Sequence, residues 1–160
     1  MRRQLLSEQS SVGVDTFVAL VRAHATATRS LNAQLAADHG LTISDYEVLL
    51  RLARAPEHRL RRVDLAEQVL LTASGITRLL DGLERQGWVE RGACDGDRRV
   101  VYAVLTDAGL VKLREARATH IPQIEVHFGR GLTPDEQALL VELLGKLDGA
   151  GVEPSCDPGA

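Results

Sequence analysis

The run from Leu71 to Arg99, LTASGITRLLDGLERQGWVERGACDGDRR, leaves this chain few ways to fold. Thr72 can cap a helix, because its hydroxyl can accept a hydrogen bond from a free amide of the first turn. Ile76, Leu79, Leu80 and Leu83 then recur at i, i+3, i+4 and i+7, the period of a helix buried along one stripe. Gly87 ends it, since glycine tolerates the left-handed backbone that follows a helix. The opposite face carries Ser74, Thr77, Arg78, Asp81 and Arg85, and Gly75 would let a partner approach the backbone. Short hydroxyls and arginines are what base edges and phosphates require, because they dock without filling a groove.

The flanks of this helix fix its setting. Val63 to Leu70 reads as a short helix with Leu65, Ala66 and Val69 inward. Only Leu71 and Thr72 then separate it from the central helix, and so tight a connection forces two helices to cross. Downstream, Trp88 to Arg91 and Val100 to Leu105 are β-branched and apolar enough to pair as strands. Asp95-Gly96 between them is turn chemistry, so the hairpin tip presents Asp97, Arg98 and Arg99. Leu60-Arg61-Arg62 is a brief extended piece suited to an edge strand of the same sheet. A helix pair followed by a basic hairpin is the pattern of a winged helix-turn-helix, here spanning residues 44–105.

Helical arms bracket that head. An amphipathic helix is expected from about Val14 to His39, with Phe17, Leu20, Val21, His24, Leu31 and Leu35 on one face and Gly40 as its stop. Ser44-Asp45-Tyr46-Glu47 reads as a capping box for the next helix, which carries Val48, Leu49, Leu52 and Ala53 and ends before Pro56. Thr106 can cap a helix bearing Leu110, Leu113, Ile121 and Ile124 towards Phe128, which Pro122 is expected to kink or interrupt. Thr133-Pro134-Asp135-Glu136 starts a last helix with Leu139, Leu140, Leu143, Leu144 and Leu147 along one stripe. Residues 149–160 are rich in Gly, Pro and Asp and are expected to be disordered. The predicted fold is therefore mainly α with a small β-hairpin wing. The arms, residues 13–40 and 107–148, hold more apolar surface than the head needs, and are assigned to dimerisation. A homodimer with two-fold symmetry would set two such helices in successive major grooves, about 34–36 Å apart.

Composition narrows the function. At 160 residues the chain is about one domain in length. No apolar run reaches the roughly 18 residues of a membrane span, and no secretory signal is expected after the two N-terminal arginines. Two cysteines, Cys94 and Cys156, make no disulfide framework, which favours the cytoplasm. The net charge is −3, but it is unevenly spread. Residues 59–103 hold eight arginines against seven acids, whereas residues 121–160 hold two cations against seven acids. Arginines set at particular points allow directed phosphate contacts. The five histidines show no metal-ligand spacing, and His24 is expected to be a partly buried hydrogen-bonding residue. No nucleophile elbow, phosphate loop or dinucleotide fingerprint occurs, so neither an enzyme nor a cofactor is expected.

The chain resembles the MarR (multiple antibiotic resistance regulator) family of winged-helix transcription factors. The resemblance rests on Asp64-Leu65-Ala66-Glu67, Ser74 to Asp81, Leu83-Glu84, Gly87-Trp88-Val89-Glu90-Arg91, Asp97-Arg98-Arg99 and Leu105-Thr106-Asp107-Ala108-Gly109. It implies a dimeric regulator, a repressor more often than an activator, on a pseudo-palindromic double-stranded operator. It also implies relief by a small anionic or phenolic effector. By position, Ser74, Gly75, Thr77 and Arg78 fall where the family's recognition helix meets the major groove. Arg98 and Arg99 fall at the wing tip that enters the minor groove, with Asp97 as the acid that orients them. Ala73 and Gly75 stand where relatives often carry larger polar groups. By helix face, Arg22, His24, Thr28 and Tyr46 are candidates for an effector cleft. The competing reading is a winged-helix protein-interaction module without DNA binding, which the Arg98-Arg99 tip disfavours.

Overall fold

The computed structural model describes residues 11–69, 71–93 and 101–148. Asp97, Arg98, Arg99, both cysteines, the Asp95-Gly96 turn and the 149–160 tail lie outside them. The elements are α1 (Val12–His39), α2 (Ile43–Arg54), β1 (Arg59–Arg61), α3 (Arg62–Gln68), α4 (Ala73–Arg85), β2 (Val89–Ala93), β3 (Val101–Leu105), α5 (Asp107–Gly129) and α6 (Pro134–Asp148), with a 3-10 turn at Pro56–His58 before β1. The chain divides into two compact units, Met1–His120 and Ile121–Ala160, and the division falls inside α5. Among the described residues no helix is long and apolar enough to cross a membrane.

Within the first unit, β3 is the central strand of an antiparallel sheet ordered β1-β3-β2. Leu60 pairs with Ala103, and Arg91 with the same Ala103 from the other side. Strand alternation sends Ala103 and Leu105 into the core, joined there by Val89. The edge strand is thus present, one residue earlier than the Leu60-Arg61-Arg62 piece expected. Arg59 covers the outer face of the sheet, its guanidinium 5.3 Å from the Tyr102 ring centre.

The core joins Leu35 and Leu41 to Val48, Leu49 and Leu52 of α2, Leu65 of α3, Ile76, Leu80 and Leu83 of α4, and Leu113 and Ala116 of α5. The stripes read from the sequence are therefore the buried faces of α2, α3 and α4. In α1 the stripe splits. Leu31 and Leu35 are buried, whereas Val14, Phe17, Leu20 and Val21 are exposed.

Most ends match their local chemistry. Gly40 takes a left-handed backbone (φ 66°) and closes α1, and Gly87 (φ 72°) follows α4. Thr106 Oγ1 accepts from the Gly109 amide at 3.0 Å and donates to the Gly87 carbonyl at 2.7 Å. One assignment is corrected. The N-cap of α2 is Thr42, with Asp45 as the reciprocal partner, in place of Ser44 with Glu47. Leu41 is fully buried immediately after the Gly40 stop, so the helix must restart one residue later. The Ile43 amide also donates to Asn32 Oδ1 at 3.0 Å, which ties the start of α2 to α1.

Of the two outcomes expected at Pro122, interruption does not occur: the residue lies inside a continuous α5. Before it, Leu113, Ala116 and His120 anchor the helix to the core side of the unit. In the second unit, Thr133 and Glu136 form the expected capping box at 2.8–3.4 Å. Along α6, Leu139, Leu140, Leu143 and Leu147 are exposed and Leu144 is half-buried.

Candidate nucleic-acid interface

The surface around α4 is built by three local devices. Thr72 Oγ1 accepts from the Gly75 amide at 3.1 Å and satisfies an amide that the first helical turn leaves free. The α3–α4 connection is held by the Leu71 amide, which donates to the Ala66 carbonyl at 2.9 Å. Finally, β2 runs back beside α4, with Val89 and Leu83 both buried in the shared core.

These devices do not present all the predicted residues alike. Ser74 is exposed, its hydroxyl 3.2 Å from Thr72 Oγ1. Arg78 is exposed and makes no hydrogen bond or ion pair among the described residues. Its guanidinium keeps all its donors for an outside acceptor. Arg85 follows on the same exposed face and donates to the Asp81 carbonyl at 3.1 Å.

Thr77 and Gly75 are turned towards their own chain. The Thr77 hydroxyl donates to the Ala73 carbonyl at 2.7 Å, and Arg62 Nη1 reaches its oxygen at 3.5 Å. Thr77 thus lines a small crevice with Arg62, Asp81, Glu84, Arg91 and Tyr102. A Cβ on Gly75 would lie 3.2 Å from Thr72 Oγ1 and 3.7 Å from Leu71 Cβ. The glycine therefore also serves the tight capped turn.

The structure adds residues that sequence reasoning missed. Arg91 of β2 donates from Nε to Glu84 Oε1 at 2.7 Å and from Nη2 to Asp81 Oδ1 at 2.6 Å. Arg61 is instead bidentate to the single carboxylate of Asp64, at 2.6 and 2.7 Å. Hydrogen bonds to carboxylates hold both guanidiniums more firmly protonated than usual, Arg91 through Glu84 first and Arg61 through Asp64. With Arg59 paired to Glu57 and Arg51 to Glu47, four head arginines among the described residues are neutralised internally. Gly109 is the other omission: a Cβ there would sit 2.1 Å from the Trp88 carbonyl oxygen. Its place in the Leu105–Gly109 motif was visible, but the reason for glycine was not.

The effector candidates scatter. His24 is exposed, not partly buried as expected, and lies 3.4 Å from Thr28 Oγ1. Arg22 is exposed beside it on α1. Tyr46 is buried in the core, its ring edge-on to His120 with centres 4.9 Å apart. Burial, opposed by Arg117 and Arg54, pushes the Tyr46 phenol up. Among the described residues no group of histidines, cysteines and acids could hold a metal.

Known proteins give the same picture. The sequence model of the MarR family matches residues 41–101. The chain is 32% identical over 111 residues to the HTH-type transcriptional repressor YetL of Bacillus subtilis, a match covering 69% of this chain and 66% of the relative. It is 33% identical over 136 residues to YkoM, an uncharacterized HTH-type transcriptional regulator of Bacillus subtilis, covering 83% of this chain and 86% of that one. Among solved structures, Sco3205, a MarR family transcriptional regulator from Streptomyces coelicolor in complex with DNA, superposes with a TM-score of 0.80. It shares 30% identity over 92% of each chain. A mutant of MarR from Escherichia coli complexed with operator DNA gives 0.71 at 27% identity, over 85% of this chain and 94% of that one.

Proposed function

Since the chain belongs to the MarR family of transcriptional regulators, we propose that it binds double-stranded DNA as a homodimer and represses transcription from a pseudo-palindromic operator in the cytoplasm. The observation that carries this reading is the exposed face of α4, where Ser74 and Arg78, unpaired among the described residues, stand on a capped, core-anchored helix. Arg78 can be bidentate to guanine, worth ~1–3 kcal/mol of discrimination, or clamp a phosphate. Gly75 and Thr77 complete the set of α4 residues assigned to the major-groove contact. Asp97, Arg98 and Arg99 are assigned by position to the wing tip, where Arg99 enters a narrow minor groove.

Dimerisation is supported by apolar faces left exposed on α1 and, separately, on α6. Arg22, His24 and Thr28 along α1, together with Tyr46, are the residues offered to an anionic or phenolic effector. Such a compound acts only through its preference for one of two dimer geometries. No catalytic activity is assigned.

The test is a mobility-shift titration on the DNA next to the chain's own gene, followed by footprinting. Affinity is expected to fall linearly with log salt, because neutralised phosphates release counterions. Arg99→Ala is expected to weaken binding at least tenfold and leave the dimer intact. A chain that binds no duplex at low salt would overturn the reading in favour of a protein-interaction module.

A further inference from the structure

Arg91 sits in the middle of β2, paired with Ala103 of the central strand, so any tilt of the hairpin root moves its side chain. Its guanidinium grips two carboxylates of α4, Glu84 at 2.7 Å and Asp81 at 2.6 Å. These acids lie three and six positions beyond Arg78 on the helix assigned to the major groove. The three side chains are 61%, 46% and 25% exposed, and ion pairs this open add little to stability. Packing of Val89 beside Leu83 holds the strand against the helix but gives no direction, because apolar contact is non-directional. A planar fork on two acids one helical turn apart does fix a direction.

We propose that Arg91 is a positioning residue for DNA binding, locking the wing strand to the recognition helix so that both meet adjacent grooves as one rigid body. This rests on the DNA-binding reading above.

The sign of one experiment separates positioning from plain electrostatics. Asp81→Asn combined with Glu84→Gln removes two negative charges from a helix facing a polyanion. Electrostatics alone would tighten binding, whereas loss of the lock weakens it. On a duplex carrying the footprinted site, this double variant and Arg91→Lys, which keeps the charge but loses the fork, are each expected to bind at least fivefold more weakly. Combined, they should cost no more than either alone, because they break one device. The slope of log affinity against log salt should match the unaltered protein, since Arg91 touches no phosphate.

Unchanged or tighter binding by the acid variant would overturn the proposal, as would additive losses. A slope lower by about one in Arg91→Gln, which removes the charge, would make Arg91 a direct phosphate contact instead. If the unaltered protein itself binds no DNA, the functional reading has failed and not this inference alone.

Discussion

Gly109 illustrates how much one hydrogen atom can matter. A methyl there would meet the Trp88 carbonyl oxygen at 2.1 Å and Leu105 Cδ1 at 2.7 Å. That carbonyl cannot retreat, because it accepts from the Thr106 amide at 3.1 Å, and Thr106 also caps α5. Gly109→Ala is expected to destabilise by ~1–3 kcal/mol or more through overpacking, read as a fall of several degrees in Tm. Gly82→Ala is the contrast. No described residue lies within 4 Å of its Cβ position inside α4, so a gain of ~0.5–1 kcal/mol is expected in the same melts.

His120 gives a residue-scale pH dependence. It is 5% exposed, its Nδ1 has no hydrogen-bond partner among the described residues, and its ring rests on Tyr46. Burial first, and the nearby His39 second, hold its pKa below the ordinary 6.5. His39 itself is tethered through Nε2 to Thr119 Oγ1 at 2.6 Å. The unfolded chain therefore takes up this proton before the folded one does. Stability is fully held above pH 6.5 and is lost as pH falls below that value towards the depressed folded pKa. Urea unfolding from pH 7 to 5 should show a shallower decline for His120→Leu than for the unaltered chain. Parallel declines would show that the proton goes elsewhere.

At the scale of elements, the two overlapping capping motifs ahead of α2 are separable. Thr42 and Asp45 exchange hydrogen bonds at 2.8 and 3.1 Å, so Thr42→Ala is expected to cost ~1 kcal/mol. Ser44, already inside the helix, should change stability by no more than ~0.5 kcal/mol when made Ala. Equal losses in thermal melts would restore the Ser44 reading. Both motifs fit the sequence rule; burial of Leu41 selects between them. The continuity of α5 through Pro122 has a related cause. The proline penalty in a helix interior, ~3 kcal/mol, is local, whereas the anchoring of α5 by Leu113, Ala116 and His120 belongs to packing.

At the scale of the molecule, α1 carries the strongest statement about assembly. Phe17 is 66% exposed and is flanked on its helix by exposed Val14, Leu20 and Val21, too much apolar surface for an isolated protomer. Phe17→Glu is expected to shift sedimentation from dimer towards monomer and to lower operator affinity at least tenfold, because one head then binds one half-site. A Phe17→Glu chain that stays dimeric would remove α1 from the interface. Leu143→Glu poses the same question for α6 by itself.

The sequence by itself determined whatever depends on neighbours within a turn or a strand: the stops at Gly40 and Gly87, the caps at Thr72, Thr106 and Thr133, the stripe of α4 and the alternation of β3. It also placed Ser74 and Arg78 on an outward face, because helical period alone decides that. Tertiary structure decided what depends on residues far apart in the chain. Only the return of β2 along α4 gives Arg91 its two acids, only the approach of Trp88 explains Gly109, and only the crossing of α3 and α4 brings Arg62 to Thr77. Hydrophobic period records which face is buried, but not what a side chain meets there.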